Sequence, residues 1–346
     1  MVIRSLELTN FRNFELRKLV FHTRNVIFLG ANGSGKSNLL ESIGFSSLLR
    51  SFRGASPREM IRIGAREFSI CTELCGKFAP ERLLISETYS GKRKLFINNE
   101  AIRRSSDFIR EFHCVIFAPE DREITAGTSG CRRRFFDILI SETEPEYLLR
   151  LSRYHRALNQ RNRALKIAPA TASAFENELA DQAPFIAARR RFYSCEIEKK
   201  VQTLLGDRGT FKIIYRTDTP ENPADHLELL KSKRDSELRR QCTLCGPQLD
   251  EFDMIFNGKL LRTYGSTGQL RLISLLLKLA EFQVVRKNTS APVVVLADDV
   301  TGELDECNLQ LFLQNVSTAD QCFFTFAESP RFQLENSQTV SIGELK

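Results

Sequence analysis

The sequence lacks any apolar run able to cross a bilayer. Its longest apolar stretches are like Val293–Ala297, far short of the ~20 residues a membrane helix needs. The opening MVIRSLELTNF carries Arg4 with no continuous apolar segment after it, so neither a signal peptide nor a transit peptide is expected. There is also no internal repeat and no low-complexity tract. Nine cysteines are present, an odd and scattered set that reads as reduced thiols of a cytoplasmic protein rather than as a disulfide framework. Cys71-x3-Cys75 and Cys242-x2-Cys245 do not make the two CxxC pairs that suit a four-thiolate zinc site, so buried thiols are the expected reading.

What is present bounds the chain further. Its 346 residues hold one large or two ordinary domains. A net charge of +7 favours an anionic partner, nucleic acid first. A basic enzyme of another kind has the same balance, so charge alone does not decide.

Residues 25–40, NVIFLGANGSGKSNLL, are the most informative stretch. Val26–Leu29 has the length of a buried strand. Gly30, Ala31, Asn32, Gly33, Ser34, Gly35, Lys36 and Ser37 then fit G-x-x-x-x-G-K-[ST], the Walker A phosphate loop, at every fixed position. Glycines let such a loop curl so that its backbone N–H groups face phosphate oxygens. Lys36 adds a cation, Ser37 a hydroxyl for magnesium, and the following helix its positive end. A nucleoside triphosphate, with Mg2+, is the expected cofactor.

Two later stretches narrow the class. Tyr264-Gly265-Ser266-Thr267-Gly268-Gln269-Leu270-Arg271 opens an apolar helix. Ser266 and Gln269 fit an ordinary capping box. The same free helix end, with Ser266 and Gly268 at its mouth, also fits an anion site. Pro292-Val293-Val294-Val295-Leu296-Ala297-Asp298-Asp299 reads as a doubly buried parallel strand with two acids at its ligand-binding end. Asp298 is expected to hold magnesium and Asp299 to position or deprotonate the attacking water. The acids follow Lys36 by roughly 260 residues, whereas simple kinases and small GTPases place the magnesium acid much closer. Order and spacing are similar to an ABC-type ATPase head with an insertion between its halves. In that class the S-x-G-Q helix of one subunit faces the γ-phosphate held by another, so ATP joins a dimer.

The expected fold is α/β: a P-loop ABC-type head, its mixed sheet flanked by helices, with an inserted α-helical arm. Residues 1–121 and 206–346 form the head, and 122–205 form the arm. Between 131 and 205 fourteen Lys/Arg face nine Asp/Glu, which concentrates the positive charge in the arm. Arg150, Arg153, Arg156, Gln160 and Arg163 recur at helical spacing, and Arg189-Arg190-Arg191 follow on another helix. A solvated face and a phosphate-contacting stripe both fit this pattern. Arg150, Arg153, Arg156, Arg163, Arg189 and Arg190 are the candidate DNA contacts.

The chain resembles the RecF family of recombination and gap-repair ATPases, related to the SMC group. The resemblance runs nearly end to end. It rests on Asn10-Phe11-Arg12-Asn13, GANGSGKSNLLESI, Arg50-Ser51-Phe52-Arg53, Phe117-Ala118-Pro119-Glu120-Asp121, Arg132-Arg133-Arg134-Phe135-Phe136-Asp137, Gln160-Arg161-Asn162-Arg163, Gly246-Pro247, Ser266-x-Gly268-Gln269-x-Arg271 and Asp298-Asp299-Val300. It implies ATP-dependent homodimerisation on DNA at single-strand/double-strand junctions or gaps, slow ATP hydrolysis that resets the protein, and RecR/RecO-like partners in loading a recombinase. By resemblance Arg12 reaches the nucleotide phosphates and Asp305 contacts the dimer partner. The family's His-Arg-Asp-Asp after Gly-Pro is here Gln248-Leu249-Asp250-Glu251, and Gly302 stands where serine is common. Three other classes compete. A structural scaffold held together by ATP is disfavoured by intact Asp298 and Asp299. A nuclease-linked ATPase is disfavoured by the short stretch after those acids. A small-molecule kinase is disfavoured by the late acids and the S-x-G-Q element.

Overall fold

The structure, a computed structural model, describes residues 2–75, 81–109, 111–299, 304–330, 332 and 334–343. Val300 and Gly302, named above, lie outside the described residues. The chain divides into two compact units, one of residues 1–121 and 285–346, the other of residues 122–284.

The first unit begins with strands β1 (Ile3–Phe11), β2 (Phe14–Val20) and β3 (Asn25–Leu29), then helices α1 (Lys36–Leu48) and α2 (Pro57–Met60). It continues with β4 (Glu67–Leu74), β5 (Glu81–Thr88), β6 (Arg93–Ile97), β7 (Glu100–Ile102), α3 (Ser105–Phe108) and β8 (His113–Phe117). The second unit holds α4 (Arg122–Ala126), α5 (Ser129–Thr143), α6 (Pro145–Ile167), α7 (Glu176–Leu205), β9 (Phe211–Arg216) and α8 (Pro223–Arg240). There follow β10 (Glu251–Phe256), β11 (Lys259–Leu260), α9 (Leu261–Tyr264) and α10 (Thr267–Asn288). The chain ends through β12 (Val293–Asp298), α11 (Glu306–Val316), β13 (Gln321–Phe326) and β14 (Ser337–Ser341).

In the first unit α1 packs against strands of two sheets. One is antiparallel, in the order β2-β1-β4-β5-β6-β7, and the other parallel, in the order β14-β3-β13-β12-β8. The helix is buried nearly all round, with Leu39, Leu40, Ile43 and Phe45 inaccessible. Gly44 lets the helix pack closely on the parallel sheet, since a Cβ there would lie 3.1 Å from Ile116 Cδ1 and that side chain would have to shift. The strands β8, β12 and β13 are buried at every residue, as their largely apolar runs require when both faces of a parallel sheet are covered. Their C-terminal ends, with that of β3, form the edge where ligands bind in open α/β sheets.

The second unit contains the helical stretch 122–205. It runs past residue 205 to residue 284, so β9, α8, β10 and β11 group with the helices. The reason is packing. The antiparallel sheet β11-β10-β9 lies on α5 and α7, with Phe136 stacked on Phe252 at 4.1 Å between ring centroids. The β10–β11 turn uses Asn257 and Gly258, both at positive φ, as a two-residue hairpin demands. Among the described residues no helix is long and apolar enough to cross a membrane.

Candidate nucleotide-binding site

The phosphate loop joins β3 to α1. Gly33 and Gly35 take φ of 83° and 100°, a region where side chains other than glycine are strained. Gly35 is also walled in, because a Cβ there would sit 2.5 Å from Asn13 Nδ2 and 2.9 Å from Phe14 Cζ. The β1–β2 turn therefore braces the loop, and Asn38 Nδ2 donates to Asn13 Oδ1 at 2.7 Å to fasten it. At the other end a Cβ on Gly30 would meet the Ile342 carbonyl oxygen at 2.5 Å. The Ile342 N–H donates to the Leu29 carbonyl at 2.7 Å, so the segment just after β14 seals the loop's base.

Within the loop the Lys36 ammonium donates to the carbonyls of Gly30 and Ala31 at 2.6 and 2.8 Å. The cation thus folds back over the loop, where phosphate oxygens would be stronger acceptors. Ala31, Asn32 and Gly33 are exposed. The Ser34 hydroxyl is buried and has no hydrogen-bond partner among the described residues.

The far end of the chain completes the site. Because β13 lies between β3 and β12, the tip of β12 comes beside the start of α1. The Ser37 hydroxyl donates to Asp298 Oδ1 at 2.8 Å. A hydroxyl and a buried carboxylate side by side are the hard oxygen donors that suit magnesium. Asp299 follows at φ 54° and is exposed.

Two further residues belong to the site: Glu41, to which sequence reasoning assigns no role, and Thr325, which it offers as the one polar switch candidate of the segment Thr325-Phe326-Ala327-Glu328. Thr325, at the end of β13, donates its hydroxyl to Asp298 Oδ1 at 2.8 Å and accepts the Asp299 N–H at 2.9 Å. Glu41 is fully buried in α1, and Arg12 Nε and Nη2 grip its two oxygens at 2.7 Å each. Arg12 Nη1 donates to the Glu59 carbonyl at 2.7 Å. Contact between Arg12 and phosphates therefore requires the guanidinium to leave a bidentate pair. A lone acid within the apolar LLESIGF segment was the available signal for Glu41.

In the second unit Ser266 and Gln269 form a reciprocal capping box at the start of α10. The Gln269 N–H donates to Ser266 Oγ at 3.2 Å, and the Ser266 N–H donates to Gln269 Oε1 at 2.9 Å. Ser266, Thr267 and Gly268 are exposed or half-exposed at this helix end, and nothing lies within 4 Å of where a Gly268 Cβ would be. The cap and the open helix end thus coexist. Asp305 caps α11, accepting the Asn308 N–H at 2.8 Å, and is exposed.

The arginine candidates separate sharply. Arg153, Arg156 and Arg163 are exposed on α6. Arg150 is half-buried, ion-paired to Glu146 and laid over the Phe185 ring. Arg189 is held by Glu144 and stacks over Phe192. Arg190 is no surface residue: it is 1% exposed. It donates to Asp137 Oδ1 at 2.9 Å, Asp250 Oδ2 at 2.7 Å and the Pro247 carbonyl at 2.6 Å. Three consecutive arginines on a helix point ~100° apart, so one of them faces the core. Arg190 is thus removed from the candidate DNA contacts.

The RecF/RecN/SMC N-terminal domain family matches residues 2–342. The chain is 34% identical to the DNA replication and repair protein RecF of Lactobacillus johnsonii, over 94% of this chain and 92% of that one. It is 34% identical to RecF of Heliobacterium modesticaldum, over 100% and 98%. A solved structure of the recombination mediator protein RecF with ATP, in the RecFOR pathway, superimposes with a TM-score of 0.90 at 26% identity, covering 98% of this chain and 95% of that one. The SMC head domain of Pyrococcus furiosus shares the fold, with a TM-score of 0.52 at 16% identity over 95% and 90% of the two chains. A phosphate loop closed by the tip of β12, on this fold and with these relatives, makes the chain a member of the RecF family.

Proposed function

We propose that this chain is an ATP-dependent DNA-binding protein of gap repair and replication maintenance. The carrying observation is the Ser37–Asp298 contact, which joins residues 261 positions apart into one triphosphate site. The relatives are named as DNA replication and repair proteins, and the similar solved structure holds ATP.

In this reading the loop N–H groups and Lys36 bind the phosphates. Ser37 and Asp298 would hold Mg2+, which when bound neutralises charge on the phosphate oxygens. Asp299 orients the attacking water, and hydrolysis is slow, serving as a reset. The exposed end of α10, with Ser266 and Gly268, contacts the triphosphate held by a second copy, and Asp305 supports that pairing. Arg12 joins the phosphates after releasing Glu41. DNA phosphates are met by Arg153, Arg156 and Arg163, with Arg150 and Arg189 beside them. Partners of the RecR and RecO kind follow from the pathway in which the solved relative acts.

Fluorescence anisotropy of a labelled gapped duplex, with ATP, ADP or neither, tests this reading. Binding is expected to be tightest with ATP in wild type and to lose its nucleotide dependence in Lys36→Ala. DNA affinity indifferent to nucleotide in wild type would overturn it.

A further inference from the structure

We infer that Thr325 is a positioning residue that sets the magnesium acid and the water-orienting acid with one hydroxyl. The inference rests on the triphosphate reading above and adds to it a third group, from a strand that carries neither the phosphate loop nor the acids.

The hydroxyl of Thr325 has one proton and lone pairs to accept with. It donates to Asp298 Oδ1 and accepts from the Asp299 N–H. Thr325 itself is 1% exposed, so water does not compete for either bond. Oδ1 of Asp298 thus receives two hydroxyls, from Thr325 and from Ser37, while among the described residues Oδ2 accepts no hydrogen bond. A carboxylate fixed through one oxygen presents the other in one orientation, as second-shell partners do for metal ligands.

The second bond acts on the backbone. Asp299 sits at φ 54°, a left-handed conformation that non-glycine residues adopt sparingly. The Thr325 oxygen holds the N–H of that residue. Position along the sheet explains why a threonine on β13 can do both. Thr325 pairs in register with Asp298 on one side and with Phe28, near the start of the phosphate loop, on the other.

Thr325→Val keeps the shape and removes the hydroxyl, and Thr325→Ser keeps the hydroxyl. Binding of a fluorescent ATP analogue, measured with Mg2+ and with EDTA, separates metal-dependent from metal-independent affinity, and Mn2+ binding to the nucleotide complex gives a direct spectroscopic readout. In Thr325→Val the gain in nucleotide affinity on adding Mg2+ is expected to shrink by about tenfold. The affinity in EDTA should stay within about twofold of wild type, and Thr325→Ser should restore the gain. An unchanged gain in Thr325→Val would overturn the inference, as would a Thr325→Ser protein that folds and behaves like the valine variant. An equal loss with and without metal would do the same, because the hydroxyl would then serve only the fold. If wild type binds no nucleotide, the triphosphate reading itself fails, a result distinct from all of these.

Discussion

Ser37 and Asp298, 261 positions apart in sequence, share a hydrogen bond of 2.8 Å. This single contact requires that β3, β13 and β12 lie side by side in parallel, as their registers show. It also explains why a chain interrupted by a 163-residue unit, 122–284, still makes one phosphate site. The insertion leaves the parallel sheet after β8 and returns through α10 to β12, the strand next to β8.

Gly35 is the least replaceable residue of the loop. Alanine there combines a φ of 100° with a Cβ 2.5 Å from Asn13 Nδ2. Gly35→Ala is expected to lose nucleotide binding and to destabilise the first unit by roughly 1–3 kcal/mol. Isothermal titration with ATP and a thermal melt check the two effects separately.

Arg190 and the exposed arginines of α6 should respond in opposite ways. Arg190→Ala leaves Asp137 and Asp250 without their shared cation, and breaking a buried pair from one side costs about 3–5 kcal/mol. Arg153→Ala, Arg156→Ala and Arg163→Ala leave stability nearly unchanged. Combined, they weaken DNA binding and flatten its salt dependence, by roughly 0.9 in log–log slope for each duplex phosphate the protein no longer neutralises. Urea denaturation and a salt titration of DNA binding distinguish the two classes.

His226 makes the second unit sensitive to acid. The residue is fully buried, and neither ring nitrogen has a hydrogen-bond partner among the described residues. Burial lowers its pKa below the ordinary 6.5, with Asp218 pulling the other way and Arg161 adding to the lowering. The unfolded chain therefore takes up the proton first. The stability this residue permits is complete above the ordinary histidine range and falls as pH drops below it. Between about pH 7.5 and 5.5, a window spanning the ordinary histidine range, wild type is expected to lose more stability than His226→Leu does. Equal losses in denaturant titrations at the two pH values would show that His226 is not the group responsible.

Local signals made much of the site readable in advance. The phosphate loop, the capping box at Ser266 and Gln269, and the β-branched strand ending in Asp298 and Asp299 each declare themselves within a few residues. What stayed hidden depends on distant partners. Glu41 looks like any helix acid until the β1–β2 turn brings Arg12 onto it. Thr325 stands out in sequence as the one polar switch candidate of its segment, but its partners Asp298 and Asp299 appear only once β13 is seated between the two strands of the site. Arg190 matches its neighbours in sequence, and only the positions of Asp137 and Asp250 turn it inward. The extent of the second unit was equally illegible, because β9 and β10 carry ordinary strand patterns and nothing local says that they cover α5 and α7.

The most direct test of ATP as the agent joining two copies is molecular mass in solution, with and without ATP and magnesium, for wild type and Ser266→Arg. The substitution puts a bulky cation at the exposed mouth of α10 and forfeits a cap of about 1 kcal/mol, too little to unfold the protein. Wild type is expected to shift from monomer to dimer on adding ATP and magnesium, while Ser266→Arg binds ATP and stays monomeric. A wild-type mass indifferent to ATP, or a variant that dimerises normally, would contradict the composite site and leave Ser266 as a helix cap alone.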